Sequence, residues 1–195
     1  MLNTPTTSES ELFTEYPLER EWVVWFNGPA RTTSKPLPRG KKPESLPPRR
    51  LGSFKCIKTM WEWMNILPLP ERVADEGNIS IFQLHVDPLW EHPANVNGGR
   101  WMYSIPTSNN VLAAAAWQSL YLGLVGETLD HEFEIVGIIL ARRHNYTRLS
   151  VWTRDRLRAD AITLIGKRIK AGLPEAVGLE YQDHGAPFGE YRHAM

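Results

Sequence analysis

Hydrophobic and polar positions along the chain follow two rhythms. Residues 21–26, Glu-Trp-Val-Val-Trp-Phe, are aromatic and β-branched and predict a first strand. Residues 53–66 place Ile57, Met60, Trp61 and Met64 at helical spacing and stop before Pro68, predicting a helix. Residues 78–86 alternate as a strand with apolar side chains on parts of both faces, and 100–105 predict another. An Ala-rich apolar helix is expected over 111–125, entered through Ser108 and closed by Gly126. Strands at 135–141 and 148–152 flank the polar turn His144-Asn145-Tyr146-Thr147, which reads as a hairpin. Thr153 or Asp155 is expected to cap a helix running to Lys170, with Gly172 just past it and Pro174 beyond. A final strand is expected at 177–182, followed by a Gly/His/Pro-rich tail. Paired strands with helices between them predict an α+β fold: a curved antiparallel sheet of about eight strands with three helices on one face.

The punctuation adds two segments without regular structure. Residues 1–15 are polar and rich in Thr, Ser and Glu, and read as a disordered lead-in to a single domain over 16–195. Between the first strand and the first helix, residues 28–53 form a long proline-rich loop. Arg31, Lys35, Arg39, Lys41, Lys42, Arg49 and Arg50 stand there against Glu44 alone. The ordinary meaning is a solvated mobile loop; the sharper one is an electrostatic lure for phosphates.

Composition narrows the classes. At 195 residues the chain is long enough to bury one core without staples. A lone cysteine, Cys56, excludes a disulfide framework and a thiolate zinc cage, and fits a reducing compartment. No apolar run approaches membrane-spanning length. Net charge is zero, so a nucleic-acid site has to be a local patch. Eight tryptophans are many for a domain of this size, and most are expected in the core.

One stretch carries specific chemistry. Asp87-Pro88-Leu89-Trp90-Glu91 sets an indole beside a carboxylate in a loop between strands, and Gly98-Gly99-Arg100-Trp101 follows shortly after. A π face beside an acceptor suits a flat, electron-poor ring bearing donors. N7-methylguanine is such a ring: methylation makes it cationic, and its N1–H and N2–H₂ edge donates to a carboxylate. Stacking a cation on indole gains up to about 2 kcal/mol when desolvated, and charge-assisted hydrogen bonds to carboxylates exceed neutral ones.

This pairing of motifs resembles the translation initiation factor 4E family, whose members bind the mRNA cap. The likeness runs in order from Tyr16 to about His184. It includes Tyr16-Pro17-Leu18 before the first strand, Trp61 with Asn65, Trp117 leading into Leu124-Val-Gly-Glu127, and Val151-Trp152-Thr153. The chain is also similar to short divergent paralogues of the kinetoplastid type, whose caps are extensively methylated. The resemblance implies a cupped eight-stranded sheet with the cap in its concave face and three helices on the convex face.

For the site, the resemblance implies that Trp90 stacks on the methylated base, Glu91 accepts from N1 and N2, and Trp152 lines the methyl pocket. Arg143 and Arg148 match the phosphate-holding positions, Arg100 supports them, and Asn145 stands where a third basic residue is usual. Away from the family pattern, each Arg reads as a solvated strand-end charge and Trp152 as a core ring. The family's second stacking Trp has no counterpart, because residues 28–53 contain no Trp, Tyr or Phe. Arg49, Arg50, Pro47 or Pro48, or an aromatic brought in by loop rearrangement, are the candidates to cover that face, and His184 matches a cap-proximal position. Losing one stacking partner costs on the order of 1–3 kcal/mol, so weak or unusual cap preference is an expectation, hypermethylated caps included.

On the opposite face, Ile57 and Trp61, four apart on one helix, match the family's docking groove for a peptide helix, with Tyr16, Pro17 and Leu18 at its edge. Gln118 and Ser119 replace the usual Leu and acidic residue. The implied partners are capped mRNA and a scaffold protein resembling initiation factor 4G, for a monomer in the cytoplasm with a nuclear fraction allowed. No cofactor, metal or catalytic residue is expected. His131-Glu132 opens like a zinc-protease helix but Ile135 stands where the second His belongs, and no nucleophile elbow, phosphate loop or dinucleotide fingerprint is found. The runner-up is an adapter or translational repressor of the same fold with weak cap affinity. A cap or nucleotide hydrolase built on Glu127, Glu132 and Glu134 is the distant third.

Overall fold

The computed structural model describes residues 16–28, 46–130, 132–173, 178–186 and 193–194. Eight strands form one antiparallel sheet: β1 (Pro17–Asn27), β2 (Arg49–Cys56), β3 (Asn78–Gln83), β4 (Gly99–Pro106), β5 (Ile135–Arg142), β6 (Tyr146–Thr153), β7 (Glu180–Asp183) and β8 (His193–Ala194). Their order across the sheet is β2-β1-β3-β5-β6-β4-β7-β8. Three helices, α1 (Ile57–Ile66), α2 (Asn110–Val125) and α3 (Ala159–Gly172), cover one face, with a short 3₁₀ turn at Pro70–Arg72. The expected α+β architecture is present: a curved sheet with its helices on the convex side.

Period-2 alternation divides the side chains between the two faces. In β6, Leu149 and Val151 join the main core under the helices, whereas Arg148, Ser150 and Trp152 turn to the concave side. In β4, Trp101, Tyr103 and Ile105 go to the core and Arg100 faces the other way. The concave side keeps a small apolar cluster of Phe82, Val86, Val136 and Trp152, flanked by Trp25 and Ile139. Apolar residues on both faces of β3 therefore serve two different cores. Trp22, Trp101, Trp117 and Trp152 are buried, Trp25 and Trp63 pack against the clusters, and Trp61 and Trp90 stand exposed.

Long-range pairing moves several element boundaries. Strand β2 runs through Cys56, so residues 53–56 are strand and the helix begins at Ile57. Phe54 is buried opposite Trp22 and Ser53 pairs with Val23, a register that a helix from Ser53 would forfeit. The basic loop accordingly ends at 48 rather than 53, and Arg49 and Arg50 belong to the edge strand. Residues 29–45 of that loop, and the lead-in 1–15, lie outside the described residues. Helix α2 is capped by Asn109, whose side chain accepts from Leu112 N at 3.1 Å, one residue beyond the expected Ser108. Helix α3 starts at Ala159, because Thr153 completes β6 and Asp155 closes a turn by accepting from Leu157 N at 2.9 Å. The hairpin turn is only His144-Asn145, closed by Arg143 N donating to Tyr146 O at 2.9 Å. Beyond β7, His193–Ala194 add a short edge strand to what the sequence read as tail.

Candidate functional site

The loop from β3 to β4 is fixed from within. Asn95 is fully buried, and its Nδ2 donates to Asp87 O at 2.9 Å and Leu89 O at 2.7 Å. Backbone turns tighten the same segment: Leu89 N donates to Asp87 O at 2.8 Å and His92 N to Leu89 O at 3.1 Å. Trp90 is carried on this brace with its ring 51 % exposed. Asn95 had no signal in the sequence beyond being an Asn in a polar loop.

The two glycines that follow are required by close approach. A Cβ at Gly98 would lie 1.9 Å from Thr153 O, and one at Gly99 would lie 2.4 Å from the Tyr181 hydroxyl. Gly98 O also accepts from His184 N at 3.0 Å, tying the segment after β7 to the start of β4. Trp101, the last residue of the motif, points into the core, where its Nε1 donates to Ile162 O of α3 at 3.1 Å.

These constraints open a cleft of about 560 Å³ on the concave face. Pro88, Leu89 and Trp90 form one wall, and Ile139, Ser150 and Trp152 the floor. Asn78, Ala141, Arg143 and Arg148 form the far end, and Gln182, Asp183 and His184 a second wall. Pairing explains the neighbours: Arg100 stands opposite both Trp152 and Gln182, Ile139 opposite Ser150, and Ala141 opposite both Asn78 and Arg148. Phe82 meets the Trp152 ring edge-on at 5.4 Å, and the His184 ring lies 4.2 Å from it on another side.

The cationic groups are held in place. Arg100 Nη2 donates to Gln182 Oε1 at 3.1 Å. Arg143 Nη1 donates to Asn78 Oδ1 at 3.0 Å and to its neighbour's carbonyl, Arg142 O, at 2.6 Å. Arg148 packs over the Tyr146 ring at 5.1 Å and donates to its hydroxyl at 3.2 Å. Burial, with the Arg100 charge adding to it, lowers the His184 pKa to about 3, so this imidazole is neutral at physiological pH. Among the described residues, its Nε2 and the Trp152 Nε1 are buried without a hydrogen-bond partner.

Of the residues singled out in the sequence, Trp90, Trp152, Arg100, Arg143, Arg148 and His184 come together in this cleft. Glu91 is exposed beside Trp90 and is not part of the lining. Arg49 and Arg50 are exposed on the edge strand, away from the lining. Their pairing separates them: Arg50 stands opposite Trp25, whose ring joins the concave cluster, and Arg49 opposite Phe26, which packs on the main core.

A second cleft, of about 340 Å³, lies between α1 and α2. Trp61, 41 % exposed, lines it with Met64, Leu67, Leu69, Ala115 and Gln118. Ile57 is half-buried against the main core, as is Leu18. Tyr16 and Pro17 are exposed at the start of β1, and Tyr16 O accepts from Ile57 N at 3.1 Å, so this edge adjoins the start of α1. The acidic residues weighed for catalysis are engaged elsewhere. Glu127 pairs with Arg20, and Glu132 and Glu134 both pair with Arg158. Among the described residues no group of His, Cys, Asp and Glu is arranged to hold a metal, and His131 lies outside them. No helix among them is long and apolar enough to cross a membrane.

One antiparallel sheet with helices on its convex face and an aromatic, cationic cleft on the other defines an α+β binding protein. The model of the family Eukaryotic initiation factor 4E matches residues 17–193, and the chain belongs to that family. Translation initiation factor 4E-1 of Arabidopsis thaliana is 31% identical over 171 residues, covering 88% of this chain and 69% of its own. Factor 4E-2 of Schizosaccharomyces pombe is 29% identical over 180 residues, covering 91% and 70%. Among solved structures, C. elegans eIF4E-3 in complex with the 4E-binding protein Mextli and a cap analog matches with a TM-score of 0.77 at 26% identity, covering 92% of this chain and 99% of that one. Ascaris suum eIF4E-3 with an m2,2,7G cap shares the fold, with a TM-score of 0.78 at 24% identity over 92% of this chain and 98% of that one.

Proposed function

We propose that this protein binds the N7-methylguanosine 5′ cap of mRNA in translation initiation and couples it to a scaffold protein through its helical face. One observation carries the reading: an exposed indole, Trp90, and two guanidiniums, Arg143 and Arg148, stand around a single cleft. A flat cationic base stacks on the first, and a phosphate chain reaches the others. Glu91, next to Trp90, accepts from the base's N1 and N2 donors, which adenine does not offer as a matching pair. Trp152 forms the floor beside the methyl group. Membership of the 4E family and the cap analog bound to the C. elegans relative support this assignment.

Trp61, Gln118 and the cleft between α1 and α2 receive an amphipathic segment of a scaffold similar to factor 4G, in the helix-in-groove mode. Mextli bound to the C. elegans relative is a partner of that general kind. The protein acts as a monomeric cytoplasmic cap-binding factor and binds reversibly, with no chemistry of its own.

A second reading has one observation in its favour. Among the described residues no Trp, Tyr or Phe other than Trp90 and Trp152 lines the cleft, and Trp152 packs against Phe82 and His184, so no second indole, phenol or phenyl ring is assigned to the exposed face of Trp90. An adapter or repressor with feeble cap affinity fits that feature. Retention on m7GTP resin at physiological salt separates the two: retention and elution by free m7GTP support cap binding, and flow-through supports the adapter.

A further inference from the structure

We propose that Glu76 is an internal rival of the ligand's phosphate chain, a specificity-determining residue that lowers the preference of the cleft for polyphosphates over the bare nucleoside. The inference rests on the cap-binding reading above. Arg143 stands at the cationic end of the cleft, and its Nε lies 3.4 Å from Glu76 Oε2. Arg148, the other guanidinium there, leans on the neutral Tyr146. One of the two charges meant for phosphate is therefore already answered by a carboxylate.

The acidic turn is built against this end of the cleft. Arg142 N donates to Gly77 O at 2.9 Å, which docks the turn on the β5–β6 hairpin. Asp75 Oδ2 lies 3.6 Å from His144 Nδ1, so two neighbouring carboxylates face the hairpin. Glu76 itself has a φ of 59°, a left-handed conformation in which Asn or Gly sits more easily. A phosphate oxygen arriving at Arg143 has to displace Glu76 or approach beside it, and like charges at such range repel. Glu76 is 61% exposed, so the repulsion is screened by water and salt and its effect is moderate.

The test compares m7GTP with the m7G nucleoside in wild type, Glu76→Gln and Glu76→Asn, by fluorescence titration at low salt and at 0.5 M salt (roughly a 4 Å screening length). Both variants are expected to bind m7GTP about two- to fivefold more tightly, the range of an exposed ion pair, with nucleoside affinity unchanged and the gain shrinking at high salt. Asn suits the left-handed turn, so Glu76→Asn keeps the test sound if Glu76→Gln loses its thermal transition. An unchanged or weakened preference for m7GTP in a folded variant overturns the inference; a weakened one shows that Glu76 instead positions Arg143. If the wild type binds neither ligand, the cap reading fails first and this inference falls with it.

Discussion

Asn95 holds the loop that carries Trp90, and replacing it measures how far the cleft depends on a prebuilt scaffold. Asn95→Ala removes two part-buried hydrogen bonds, to Asp87 O and Leu89 O. Each is worth about 1 kcal/mol net, more if an acceptor is left bare. Here both carbonyls keep a backbone donor, Leu89 N for the first and His92 N for the second. The loss is therefore expected near the sum of the two net bonds, about 2 kcal/mol. With a urea slope of about 2 kcal/mol/M, the unfolding midpoint falls by about 1 M. Loosening the loop also lowers the population in which Trp90 is correctly placed, so m7GTP affinity drops by up to about tenfold. Asn95→Asp is expected to be worse, because it aims an acceptor at two carbonyls and buries a charge. Urea melts and fluorescence titrations on the two variants check this. An Asn95→Ala protein with an unshifted midpoint and undiminished affinity would refute the argument that this side chain preorganises the loop.

Other perturbations follow from the same geometry. Arg148→Ala is expected to weaken m7GTP but not the m7G nucleoside, and to flatten the salt dependence of m7GTP binding; an equal loss for both ligands would contradict the phosphate role. Trp61→Ala, at a side chain 41 % exposed, is expected to lose scaffold recovery in co-purification while thermal stability and cap binding persist. His184 is held neutral with its pKa lowered to about 3 against an ordinary value of 6.5, so between those limits the unfolded chain binds the proton and the folded one does not. Its contribution is intact above pH 6.5 and falls away as pH drops toward 3, by at most roughly 1.4 kcal/mol per pH unit. His184→Gln is expected to flatten that acid limb in urea melts taken across pH, and parallel curves for the two proteins would count against it.

The pattern of the chain made the architecture legible, but only where a rhythm lasted. The aromatic run around Trp22, the alternating residues of β3 and β6 and the apolar run of β5 identify themselves. Ser53 to Cys56 does not, because its helix-or-strand choice is made by a partner about thirty residues earlier, with Phe54 locking against Trp22. The same holds at the site. Trp90 is readable because its chemistry is local, an indole in a loop between strands, whereas Glu91 beside it stands outside the lining. Asn95 is invisible, since its worth lies in two carbonyls that only the folded loop aims at it. Gly98 and Gly99 announce a need for small residues, yet the reasons, Thr153 and Tyr181, lie more than fifty residues away. Trp152 is at once a ring packed edge-on against Phe82 and the floor of the cleft.

The central claim, that a methylated guanine stacks on Trp90 and is read by Glu91, is tested most directly by one titration. Intrinsic tryptophan fluorescence is followed as m7GTP, and separately GTP, is added to wild type, Trp90→Ala and Glu91→Ala. Saturable quenching by m7GTP, little response to GTP, and loss of the m7GTP response in both variants is the expected result. Equal quenching by the two nucleotides, or full m7GTP binding in either variant, would contradict the account.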